Sequence, residues 1–124
     1  MSLPETSERE GRNGTQWRVK EKLFVWERPL LKPDLVALGD KAPEGPILGV
    51  RVADLDDKKS LLGEDPLIFF TTPHFEGYPA ILVQLERVPL PTLRSVIAEA
   101  WLTRAPPRLA KEHFERVQKM VASQ

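Results

Sequence analysis

Two histidines, His74 and His113, are the only side chains of this sequence whose ordinary pKa lies near neutral pH, so a histidine base would have to be one of them. Neither accompanies a G-x-S-x-G elbow, and His113 falls on the apolar stripe of a C-terminal helical pattern, where a packed, satisfied histidine is the simpler reading. His74, in Thr72-Pro73-His74-Phe75, stands in a loop and is the better candidate for an acid or base. A structural role in that loop still outweighs catalysis. The chain has no cysteine, which removes disulfides, thiolate nucleophiles and Cys-ligated zinc or iron–sulfur sites. H-E-x-x-H, EF-hand, G-x-x-x-x-G-K-[ST] and G-x-G-x-x-G patterns are all missing, so no cofactor is expected. Asp54, Asp56, Asp57, Glu64 and Asp65 are dense enough to gather a hard cation loosely, although helix capping accounts for most of them.

Cations offer the better functional reading. Arg18, Lys20 and Lys22 alternate through a short segment flanked by Trp17 and Trp26, which strand periodicity places on one face, and Arg104, Arg108 and Lys111 gather around Pro106-Pro107. Cations at a strand turn can meet phosphates. The formal net charge is zero, but its distribution is uneven. Residues 12–32 carry six basic and two acidic side chains, 34–86 four and ten, and 87–124 seven and three. Read alone, such runs are more often solvated faces than nucleic-acid sites.

The elements that must position these residues follow from periodicity. Residues 1–14 are polar and close on Gly11-Arg12-Asn13-Gly14, which predicts a loose tail ahead of a single domain over 15–124. Gln16 to Lys20 and Leu23 to Trp26 predict two strands of a hairpin turning near Glu21. Pro29 to Pro46 holds four prolines and reads as a loop with at most one helical turn. Ile47 to Val52 predicts a strand, and Asp54 caps a short helix to Leu62 that buries Leu55, Leu61 and Leu62. Leu67 to Phe70 and Ala80 to Leu85 predict strands joined by a long loop over 71–79. Leu93, Val96, Ile97, Ala100 and Trp101 define an amphipathic helix over 91–104, and Leu109 to Val121 a second one after Pro106-Pro107. Strands first and helices last predict an α+β fold with helices packed on one face of an antiparallel sheet. A composition of 41% hydrophobic and 29% charged residues, with no long apolar run and no apolar N-terminal segment, predicts a cytoplasmic protein with no membrane association.

Three stretches together resemble the MmcQ/YjbR family. They are Trp17-Arg18-Val19-Lys20-Glu21-Lys22-Leu23-Phe24-Val25-Trp26, then Phe69-Phe70-Thr71-Thr72-Pro73-His74-Phe75 with Gly77-Tyr78 and the strand Ile81 to Leu85, and finally Ala98 to Pro106. The resemblance implies a CyaY-like, or frataxin-like, fold and a double-wing arrangement for binding double-stranded DNA. One wing would be Lys20-Glu21-Lys22 and the other Thr72 to Gly77. The residues implicated are Arg18, Lys20, Lys22, His74, Arg104 and Arg108, in a monomeric, non-enzymatic protein. Two departures stand out: the second wing carries Glu76 and no Lys or Arg, and the family's usual opening helix has no counterpart ahead of Leu3-Pro4. The runner-up is a protein-interaction or metal-binding module using the acids of 54–65. An enzyme built on His74 ranks third.

Overall fold

A computed structural model describes residues 3–11 and 14–122, with side chains as far as 119. Six strands form one antiparallel sheet in the order β1-β2-β3-β4-β6-β5. They are β1 (Thr6–Gly11), β2 (Gly14–Val19), β3 (Lys22–Glu27), β4 (Ile47–Arg51), β5 (Phe69–Phe70) and β6 (Ala80–Gln84). Four helices accompany them: α1 (Lys32–Leu38), α2 (Leu55–Glu64), α3 (Leu90–Arg104) and α4 (Pro107–Ala122). The fold is therefore α+β, as the element order predicts.

The first correction concerns the N-terminal segment. Residues 6–11, expected in a loose tail, form β1 and pair with the whole of β2 from Thr6 opposite Val19 to Gly11 opposite Gly14. Arg12 and Asn13 lie outside the described residues. An edge strand solvated along most of its length needs no apolar side chains, so hydropathy does not reveal it; the backbone ladder holds it in place. Side chains add to the ladder: Trp17 Nε1 donates to Glu8 at 2.8 Å and Thr15 Oγ1 to Glu10 at 3.0 Å. The indole of Trp101 in α3 also donates to the Pro4 carbonyl at 3.0 Å.

The hairpin β2–β3 forms as predicted, with a bulge. Trp17 faces Val25 while Arg18 faces Leu23, leaving Phe24 without a partner. An extra residue in one strand lets neighbouring side chains point the same way. Phe24 and Val25 accordingly both enter the core beneath the helices, with Val19, Val50, Ile81, Val83 and Trp101. The opposite sheet face has its own apolar cluster of Trp26, Ile47, Ala80, Leu82 and Phe75.

α1 occupies a stretch expected to hold at most one helical turn. Its signal is Pro33 in the first turn together with Asp34, whose carboxylate accepts the Leu31 N–H at 2.8 Å. In α2 the Asp54 cap accepts from Asp57 N at 2.9 Å, as predicted. Leu61 and Leu62 pack on the core, but Leu55, expected to be buried with them, is 49% exposed. The helix break falls at Ala105-Pro106, with Ala105 buried. No helix among the described residues is long and apolar enough to cross a membrane.

Candidate functional site

The turn of the β2–β3 hairpin gathers most of the sequence-predicted cations. Lys20 and Glu21 both adopt positive φ, 48° and 70°, in the two-residue loop closed by Val19 opposite Lys22. That geometry matches the twist of the strands and favours Asn or Gly, so neither Lys nor Glu is a comfortable occupant. Arg18 braces the turn: its Nη1 donates to the Glu21 carbonyl at 3.0 Å and its Nη2 to Gln16 at 2.9 Å. Arg104 reaches the same hairpin from the end of α3, donating from Nε to the Leu23 carbonyl at 3.3 Å. Lys20 pairs loosely with Glu5 at 3.5 Å, and Arg9 pairs with Glu21. Lys22 is exposed and makes no ion pair among the described residues.

Arg18, Lys20, Lys22 and Arg104 thus meet around one turn. Strict alternation does not hold within it, however. Arg18 opposes Leu23 and Lys22 opposes Val19, so these two cations point to opposite faces. Arg9 is a fifth cation of the cluster, and sequence reasoning missed it because β1 carries no hydrophobic periodicity. Arg108 stands apart on α4, almost fully exposed and paired with Glu112 at 3.3 Å.

On the face opposite α3 lies an open cleft of about 400 Å³ lined by residues of both hairpins; residues 20–22 of the turn are outside its lining, and Arg18 meets it through Gln16. Gln16, Leu23 and Trp26 contribute one side, and His74, Phe75 and Tyr78 the other. The loop carrying the latter folds as a 3-10 turn over Pro73–Phe75 and packs down on the sheet; it is a wall of the cleft, with Thr72 and Phe75 buried. His74 is exposed and meets the Phe75 ring edge-on at 4.8 Å. Tyr78 is 41% exposed.

Two buried cations hold this wall. Lys58, 6% exposed, extends from α2 and donates to the carbonyls of Phe75 at 2.6 Å and Tyr78 at 2.9 Å. Desolvation lowers its pKa from the ordinary lysine value, partly countered by Glu76. Arg28, which also lines the cleft, lies over the Phe75 ring at 5.3 Å and pairs with buried Asp34 at 2.9 Å. Arg51 lies over the Tyr78 ring at 4.9 Å and donates to its hydroxyl at 3.1 Å. None of these three was singled out from sequence, because each acts through a partner distant along the chain.

The remaining candidates sit elsewhere. His113 packs against Trp101 at 4.9 Å; it is half-buried, but its Nδ1 finds no partner among the described residues, whereas a satisfied histidine was expected. Asp54 and Asp65 spend their carboxylates on backbone N–H groups, of Asp57 and Leu67. No three metal-ligating side chains converge among the described residues.

Fold and site together define a small antiparallel-sheet α+β domain with a cationic hairpin turn and an aromatic cleft. A family model described as YjbR matches residues 1–103, and the chain belongs to that family. The match takes in β1 and ends within α3, leaving α4 beyond it. The chain is similar to uncharacterized proteins of Mycobacterium bovis and Mycobacterium tuberculosis, 49% identical over 98 residues, which cover 77% of this chain and 76% of each relative. No solved structure gives a significant match.

Proposed function

We propose that this chain is a monomeric, cytoplasmic, non-enzymatic protein that binds DNA through the turn of its β2–β3 hairpin. The observation that carries the reading is the convergence of Arg18, Lys20, Lys22 and Arg104 on one turn, with Arg9 added by β1. Five cations against Glu5, Glu8 and Glu21 leave a local excess of positive charge in a chain whose total is zero. Such a patch neutralises phosphates without reading bases, so the binding is weak and indifferent to sequence. Strained positive-φ residues at the tip fit a functional turn, since a turn selected for stability alone would hold Asn-Gly. The β1 edge supports the monomeric state. Self-pairing about a twofold normal to the sheet brings Glu8 against Glu8 or Glu10, and like charges directly opposite are destabilising.

The test is fluorescence anisotropy of a labelled random duplex at about 50 and 200 mM salt. With three to four phosphates neutralised and a slope near 0.9 per phosphate, affinity falls about 40- to 150-fold between the two conditions. Replacing Arg18, Lys20 and Lys22 together by Ala flattens most of that dependence. Failure to see saturable binding at the lower salt overturns the proposal.

A further inference from the structure

We infer that the aromatic cleft on the sheet face opposite α3 receives one unstacked nucleobase, so that single-stranded or locally opened DNA is the preferred ligand over intact duplex; the inference rests on the DNA-binding reading above. Its first support is an asymmetry between the two hairpin loops. The turn at Lys20 is cationic and exposed, whereas the 72–77 loop carries Glu76, no Lys or Arg, and is packed against the sheet. Two cationic wings astride a duplex are not what these loops provide. Arg18, bonded to Gln16 of the cleft, sets a cation next to an aromatic wall, the arrangement that holds a single strand with its backbone on the cation and a base against a ring.

The cleft supplies the second support. Tyr78 and His74 are exposed on its wall, the rim where a base could stack, while Trp26 and Phe75 close its floor. Gln16 also lines the cleft, and its amide suits the edge of a base better than an aliphatic wall would. Arg28 and Arg51 already cover faces of Phe75 and Tyr78, so these rings are not arranged as a cage for a ligand cation. The wall is also pre-formed, because Lys58 fixes both the Phe75 and the Tyr78 carbonyls. Little ordering remains to oppose binding.

The experiment compares a labelled thymidine oligonucleotide of about 12 nucleotides with a random duplex of equal length, at about 50 mM salt. The single strand is expected to bind at least about fivefold tighter and to quench tryptophan emission. His74→Ala combined with Tyr78→Leu, which keeps bulk at 78 but no ring, should weaken single-strand binding about 5- to 100-fold and leave duplex binding unchanged. Tyr78→Phe should retain the preference, and thermal melting confirms that each variant is folded. Equal binding of both ligands, or a strand preference that survives the double change, overturns the base pocket while leaving the cationic turn standing. Absence of binding to either ligand overturns both readings.

Discussion

Replacing Gly49 by Ala should dislodge Trp26 and reshape the cleft. Gly49 faces Trp26 across the β3–β4 ladder, and a Cβ there would lie 2.2 Å from Cε2 and 2.4 Å from Nε1 of the indole. Carbon atoms in contact sit about 3.5–4.0 Å apart, so the ring must retreat by more than about 1 Å. It has little freedom to do so. Trp26 is 9% exposed and leans on Phe75 with centroids 6.3 Å apart, and β4 is an inner strand that cannot shift without disturbing both neighbours. Overpacking of this kind costs typically 1–3 kcal/mol, and we place Gly49→Ala at the upper end, about 3 kcal/mol. At about 4 °C per kcal/mol for a domain of this size, Tm falls by roughly 10 °C. Urea unfolding of four proteins, the parent, Gly49→Ala, Trp26→Leu and the double variant, isolates the pair. Trp26→Leu removes the obstructing ring, so Gly49→Ala in that background should be neutral or slightly stabilising, since Ala loses less backbone entropy than Gly. A cost below about 0.5 kcal/mol in the parent, or an equal cost in both backgrounds, would refute the packing of Trp26 on Gly49.

Two further outcomes follow from the site. Lys20→Asn with Glu21→Gly relieves two positive-φ residues and should stabilise the hairpin by about 1–2 kcal/mol. Because losing Glu21 offsets the loss of Lys20 charge, the comparison is with Glu21→Gly alone, against which the double variant should bind DNA severalfold more weakly; equal affinity of the two would remove Lys20 from the interface. Lys58 gives a pH signature. Burial lowers its folded pKa below the unfolded value, so the unfolded chain binds more protons between the two and stability rises with pH across that window. Urea midpoints of the parent should therefore gain on those of Lys58→Met as pH rises through the window below 10.5, and parallel pH profiles would show that Lys58 is not desolvated as described.

What the sequence revealed and concealed divides along one physical line. β3, β4 and β6 are short apolar runs buried on both faces and α3 carries an apolar stripe at helical spacing, and each was legible from those patterns. β1 buries almost none, and its stability comes from pairing with β2, which leaves no imprint on side-chain chemistry. α1 was obscured by prolines, although Pro33 in its first turn and Asp34 reaching back to the Leu31 N–H follow ordinary rules for a helix start. The cation pattern was half legible. Its membership around Lys20 could be read from proximity in the chain, but the chain reverses at the two-residue turn, where Lys22 pairs with Val19 and Leu23 with Arg18, so alternation counted straight through the turn puts Lys22 on the wrong face. Arg104 could be listed as basic, yet its place beside Leu23 depends on how α3 crosses the sheet.

The cleft wall holds two buried cations in a place where apolar residues would serve stability equally well. Burying Arg28 with Asp34, and Lys58 with only carbonyls and the nearby Glu76, carries desolvation costs that their contacts must offset. What those contacts accomplish is positional. Phe75 is gripped twice, its ring beneath the Arg28 guanidinium and its carbonyl on the Lys58 ammonium, and Tyr78 is tied through its own carbonyl to the same ammonium and through its hydroxyl to Arg51. Hydrogen bonds and ion pairs fix direction in a way that hydrophobic contact does not. A loop of nine residues between β5 and β6 is thereby held in one conformation with Tyr78 and His74 left outward. The wall is thus fixed at the expense of burying charge, a local cost in stability that apolar packing would avoid and that fits a rim kept in place for a ligand.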